Sequence, residues 1–468
     1  MKKKVIFVFL LTLVCLAGSI STGFKIEEKN IEKNVNNNYK ESHYEDYSVM
    51  RLNLDIIERW EEEHNNAEIA FIDPNLDEEI QKTESYNILD LLEYVPEERN
   101  QGACSNCWAW PSTSVLAIEL NVQKGIKDRL SVQFINTCGI EYTSSMNKIE
   151  CCEAGNIGMF ANFYKNTNFA IPWSNKMAHW HDGGRINCIT DCSQISKTPN
   201  YPIYDIDDVV VPIHDIATDE AIENIKNVLH QQKGVYFTVY YPDFENLNAF
   251  RDMWRNEDED FVYTLDYYCG NDVNSEEAAG HAMLVYGYND EEGTNNDYWM
   301  VLNSWGTNDN RPNGVLKWDM HMNYSCKYSN YYAFSASTLD VIFDPYPEAP
   351  EAPTIDGPSS IKPEIEYTCD ITAVDPQGDD VYIYVKWDTG FSGSGWLGPY
   401  TSGETIPVSH TWDEKDNVII RARARDINNN IGPWTSFEIS ISKVKSVKEF
   451  NPLFFRLIQR FPISEFLI

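Results

Sequence analysis

Cys107 lies in the run Gln101-Gly102-Ala103-Cys104-Ser105-Asn106-Cys107-Trp108-Ala109-Trp110, which carries the parts of a thiol nucleophile. A cysteine attacks a carbonyl as its thiolate, and the start of a helix favours that charge through unpaired N–H groups and the helix dipole. Val115, Leu116, Ile118, Leu120 and Val122 recur at helical spacing up to Gly125, a C-terminal stop, so a helix is predicted just after Cys107. Gln101, followed by Gly102, can turn its amide toward an oxyanion beside the Cys107 N–H. The chemistry implied is acyl transfer to sulfur. Redox pairs share the Cys104-x-x-Cys107 spacing, but they follow a strand in a βαβ unit, and no strand pattern precedes Cys104.

The run resembles the signature of the papain-like cysteine peptidase family, which reads Cys, Gly, Ser or Ala, Cys, Trp or Tyr. Ser105 stands where that family has glycine, and Pro111 has no N–H for the Cys107 carbonyl, so a distorted first helical turn is expected. Two later segments resemble the family in its own order. Gly280-His281-Ala282-Met283-Leu284-Val285 reads as a buried strand headed by histidine, and Tyr298-Trp299-Met300-Val301-Leu302 as a second strand ending in Asn303-Ser304-Trp305-Gly306. The resemblance implies that His281 is the base, that Asn303 accepts its N–H and that Trp305 shields that bond. It implies a thiolate beside an imidazolium, an acyl-enzyme cleared by water, and an oxyanion between the Gln101 amide and the Cys107 N–H.

His281 and Asn303 follow Cys107 by 174 and 196 residues, more than the family's roughly 130–150. Insertions, including one around residues 165–235, are expected to account for the excess. Leu130 to Cys138 resembles the family's second helix, and Cys152-Glu153-Ala154-Gly155 its Cys-Asn-Gly-Gly, which makes Gly155 a candidate for substrate binding. Gly280 stands where relatives carry Asp or Asn. The resemblance pairs Cys104 with Cys152, and Cys138 with Cys188 or Cys192. It leaves Cys151, Cys269, Cys326 and Cys369 unassigned.

The elements around these residues divide the 468-residue chain. Met1 to Lys4 followed by the apolar run Val5 to Ala17 reads as a signal peptide over 1–21, too short for a membrane span of about 20 residues. Residues 22–85 read as an acidic propeptide or spacer, with Asn34 to Asn38 disordered and an amphipathic helix over Leu52 to Glu63. The peptidase-like domain takes 86–345 and a Pro/Glu/Ala-rich linker 346–360. Alternating short strands over 361–443 predict an immunoglobulin-like sandwich resembling the PKD-like modules of exported hydrolases. An amphipathic tail, 444–468, is a candidate for attachment. The fold class expected is α+β: a two-lobed papain-like domain with a helical lobe and a β-barrel-like lobe, then a small all-β module.

With 72 acidic against 37 basic residues the net charge is −35, which repels nucleic acid and anionic lipid. Eleven cysteines fit an oxidising compartment, with one thiol kept free for catalysis. A zinc reading of His179, His181, Cys188 and Cys192, and a calcium reading of Asp375, Asp379 and Asp380, rank below disulfides and solvated turn carboxylates. No metal or cofactor is expected. The expectation is an exported or cell-surface cysteine peptidase acting on extracellular protein or peptide substrates, without a transmembrane segment in the mature chain. The alternative is an inactive homologue serving as a surface binding or adhesion protein, with the C-terminal module or tail as attachment.

Overall fold

A helix buried on nearly every side, Ala109–Lys124, runs through the larger of two hydrophobic cores. The structure is a computed structural model, and it describes residues 47–143, 148–183, 188–291, 297–344, 348–387, 393–412 and 417–441. The expected signal peptide, the Asn34 to Asn38 stretch and the 444–468 tail lie outside these residues. Pro111 removes one N–H near the start of this helix, and three hydroxyls that follow it bond back one turn. Ser112, Thr113 and Ser114 donate to the Trp108, Ala109 and Trp110 carbonyls at 2.8, 2.6 and 2.9 Å. Gly125 closes the helix with φ of 64°, the left-handed conformation that glycine adopts without penalty. The helices Val132–Tyr142 and Ile157–Thr167 are capped by Ser131 and Asn156, which accept from Phe134 and Met159 N–H groups.

Against these helices stands a ten-stranded, mostly antiparallel sheet. Its central strand, Ala279–Asn289, pairs with Val235–Tyr241 on one side and Tyr298–Leu302 on the other. It is buried over nearly its whole length, which explains its unbroken apolar sequence. The fold class is α+β, with this helical and sheet assembly followed by an all-β module built around its own core.

Three features differ from the sequence reading. Residues 22–85 were expected to be an acidic propeptide or spacer, set apart from a domain beginning at 86, and within them Met50–Arg51, Glu68–Ile69 and Ser85–Asn87 are strands of the main sheet. Their open backbone groups find partners on that sheet, and the helix between the first two, Leu54–Asn66, buries Ile57 and Trp60. The linker was expected to reach 360, but Thr354–Asp356 already pairs with Glu366–Thr372, and Ser360–Ile361 with Thr435–Ile441. In the module Gly393–Tyr400 also went unread, its glycines and proline masking its alternation.

The module is also not held off as a spacer would hold it. In the strand Val418–Asp426 the alanines Ala422 and Ala424 face the module's core, so Arg423 and Arg425 point outward. Both are nevertheless 1% exposed, because Glu68, Phe71 and Asp340 cover them. Arg423 bonds Glu68 at 2.6 Å and Asp340 at 3.0 Å, and Arg425 bonds Asp340 at 2.8 Å.

Candidate active site

Strand pairing and helix packing bring Cys107 and His281 to one place although 174 residues separate them. Cys107 occupies the turn leading into Ala109–Lys124 and is a free thiol. Its sulfur lies 3.8 Å from the Gly280 carbonyl, and the Ala282 N–H also approaches it, so it rests on backbone either side of His281. His281 Nε2 is 2.7 Å from Asn303 Oδ1. Trp305 stacks on the imidazole with ring centroids 4.4 Å apart, and Phe250 and Trp254 pack behind it. Asn303 directly follows the strand Tyr298–Leu302, and its Oδ1 also accepts the Ser304 N–H at 2.8 Å. His281 Nδ1 is buried and has no hydrogen-bond partner.

Gln101 is fully buried. Its Oε1 accepts from Ser304 Oγ at 2.7 Å, which orients the amide, and its Nε2 donates to Cys104 O at 2.8 Å and to Ser48 O at 3.0 Å. A carbonyl of the N-terminal segment therefore sits on the group expected to bind an oxyanion.

That segment lies in the stretch read from the sequence as a propeptide or spacer, though its residues at the site were not named there, and it lies over Gln101, Cys107 and Trp305. Trp305 Nε1 also donates to Ser48 O, at 3.0 Å. Buried Arg251 donates to the Tyr47 carbonyl at 3.1 and 2.9 Å, and Tyr47 packs on Trp305 with centroids 5.2 Å apart. Met50 sends its N–H toward the Cys107 sulfur and pairs with Gly280. A Cβ at Gly280 would come within 2.9 Å of Leu52 and 3.1 Å of Met50, so the missing side chain there makes room for the segment. The alternating run Tyr47 to Leu52 was the available signal, but it is too short to stand out.

Covering the site alters its electrostatics. Cys107 and His281 are both fully buried. Burial pushes the thiol up to about 12, against hydrogen bonds that favour the thiolate. Burial holds His281 down at about 3, with Arg251 acting in the same direction and the Asn303 bond opposing. In this state the pair is a neutral thiol and a neutral imidazole, not the ion pair expected of a working enzyme.

The remaining candidates are structural neighbours of the site. Gly155 is packed against Trp108, where a Cβ would lie 2.5 Å from the indole, so its lack of a side chain is accounted for by that contact. Cys104 bonds Cys152, and of the two partners open to Cys138 the structure pairs it with Cys192. Cys151 pairs with Cys188 and Cys269 with Cys326. Cys188 and Cys192 are thus both oxidised and offer no thiolate to zinc. Among the described residues Arg99 also escaped notice, although it ties the site to the helix by donating to Asn303 O and to Ser114 Oγ, each at 2.9 Å.

A family model described as papain family cysteine protease matches residues 251–336, the stretch holding His281, Asn303 and Trp305. The chain is 27% identical over 235 residues to the oryzain gamma chain of Oryza sativa subsp. japonica, covering 48% of this chain and 52% of that one. It is 23% identical over 227 residues to cathepsin B-like cysteine proteinase 3 of Caenorhabditis elegans, covering 45% and 53%. It spans about half the length of the curated relatives it matches. Among solved structures, the PKD domain of an M14-like peptidase from a Thermoplasmatales archaeon is 37% identical, covering 20% of this chain and 97% of that one with a TM-score of 0.20. The free thiol against the backbone on either side of His281, the Asn303 bond under Trp305 and these sequence similarities point the same way: the chain is similar to papain family cysteine proteases, with the family model matching its residues 251–336.

Proposed function

We propose that the protein is an exported cysteine peptidase, folded with residues 47–52 blocking its own cleft. The observation that carries this reading is the Ser48 carbonyl held by the Gln101 amide, since a peptide carbonyl is what the enzyme must bind beside its thiol. Once the segment leaves, water and substrate lower the cost of charge at Cys107 and His281. The sulfur then attacks a peptide carbonyl, the oxyanion is held by Gln101 and the Cys107 N–H, and His281 gives its proton to the departing amine. Water attacks the resulting thioester with His281 as base, releasing the acid and restoring the thiol. Asn303 keeps the imidazole turned toward sulfur, and Trp305 keeps water from that bond. Peptide segments of extracellular proteins are the substrates. Four disulfides among the described residues support export.

The test is a mixed peptide library, read by mass spectrometry with and without an epoxide inhibitor of thiol peptidases, beside a Cys107→Ala control. Cleavage lost with both the inhibitor and the substitution supports the reading. Binding of peptides without any cleavage, after the segment has been removed, would favour the inactive homologue instead.

A further inference from the structure

We infer that the C-terminal module regulates this site by anchoring the N-terminal segment that covers it; the inference rests on the reading of that segment as a block. The segment touches the module at residues 68–71. Ile69 donates its N–H to Tyr384 Oη at 3.4 Å, and Trp396 Nε1 donates to the Ile69 carbonyl at 3.3 Å. Phe71 packs against Tyr382 and Trp396, with ring centroids 4.8 and 5.7 Å apart, under the Arg425 guanidinium at 5.2 Å. Glu68 is 4% exposed and bonds Arg423. The same residues are also held by the main sheet, where Glu68 and Ile69 pair with Val209 and Val210, and Arg423 links Glu68 to Asp340, so the module's grip adds to that of the sheet.

The helix Leu54–Asn66 joins the two held points. At 1.5 Å per residue it is a strut of about 20 Å, so fixing its far end limits how far the Tyr47 to Leu52 strand can withdraw. An attachment at one end keeps the strand at high effective concentration over the cleft and makes its return faster than its loss. Opening the cleft while the module grips residues 68–71 requires the strand to peel away against that tether. Loosening the grip raises the fraction of time that Cys107 is open, without touching any residue of the site.

The experiment uses the full chain and follows alkylation of Cys107 by iodoacetamide and by an epoxide inhibitor, read by peptide mass. The substitutions are Trp396→Ala and Phe71→Ala, with Thr368→Ala on the module's other sheet as control. Cys369, the other free thiol among the described residues and buried in the module, reports loss of the module's fold. The expected result is labelling of Cys107 at least tenfold faster in Trp396→Ala and Phe71→Ala, unchanged in Thr368→Ala, with Cys369 slow throughout. Wild-type rates in both variants, or Cys369 labelling that rises in step with Cys107, overturn the inference. Met50→Gly separates the two levels. If it alone quickens labelling, the anchor is wrong and the block stands. If iodoacetamide reaches Cys107 but the epoxide never does, the reading of the site as a peptidase fails.

Discussion

The Ser48 carbonyl lies 3.0 Å from Gln101 Nε2 and 3.0 Å from Trp305 Nε1, so one backbone oxygen engages both the proposed oxyanion donor and the tryptophan over the histidine. A substrate carbonyl and this oxygen compete for the same amide. On the proposed function, latency in the folded chain follows from this occupancy.

Gln101→Ala removes that donor. In the opened enzyme it should lower kcat about 10²- to 10³-fold with little change in KM, because the oxyanion forms only in the transition state. In the closed chain the same substitution should speed alkylation of Cys107, since it also removes a bond to the segment. Steady-state kinetics on a fluorogenic peptide and the alkylation rate of the closed chain check the two halves.

Acid should open the cleft. His281 is held at about 3 in the closed state, below its ordinary value. The neutral ring's contribution to closure is thus complete above about 6.5 and is lost as pH falls toward 3. The thiol, raised to about 12, contributes in the opposite sense: its support is full below about 9 and fades only in strong alkali. Closure is tightest between those limits. Alkylation of the closed chain should rise about tenfold per pH unit above neutral, tracking the thiolate. Below about pH 6 opening should offset the loss of thiolate and flatten the profile, and a pH profile of the iodoacetamide rate checks both.

Asp340 is the hinge of the docked module. It is 4% exposed and takes bonds from Arg423, Arg425 and Lys233, which hold its carboxyl well below the usual carboxylate range despite burial. Asp340→Ala leaves three cations without it and should cost about 3–5 kcal/mol, read by urea unfolding at neutral pH. A depressed pKa gives stability that is present above the unfolded value near 4 and lost as pH falls through the folded one. The difference between wild type and variant should therefore shrink in strong acid.

Reduction should weaken the helical side of the molecule first. Cys104–Cys152, Cys138–Cys192 and Cys151–Cys188 all fall between residues 104 and 192 and close loops of 37 to 54 residues in sequence separation. Each such loop constrains the unfolded chain by about 4 kcal/mol. Non-reducing peptide mapping should recover these pairs and Cys269–Cys326, with Cys107 and Cys369 found as free thiols after unfolding. A graded reductant should lower the melting temperature in steps.

The sequence alone specified the local chemistry. The helix ending at Gly125 and most strands of the module could be read from short-range pattern, because helix stops and strand alternation depend on neighbours a few positions away, while Cys107, His281 and Asn303 were picked out through the family resemblance of the segments around them. Tertiary structure decided the rest. Within Tyr47 to Leu52, Met50–Arg51 forms a strand only because Gly280 and Ala279 offer an open sheet position and a gap without a side chain. Arg423 and Arg425 are outward-facing residues of a small sandwich until Glu68 and Asp340, far away in the chain, arrive to bury them. Whether the thiol is a nucleophile or a buried, neutral group depends on solvent access. That is a property of what lies on top of Cys107, and no stretch of sequence next to it encodes it.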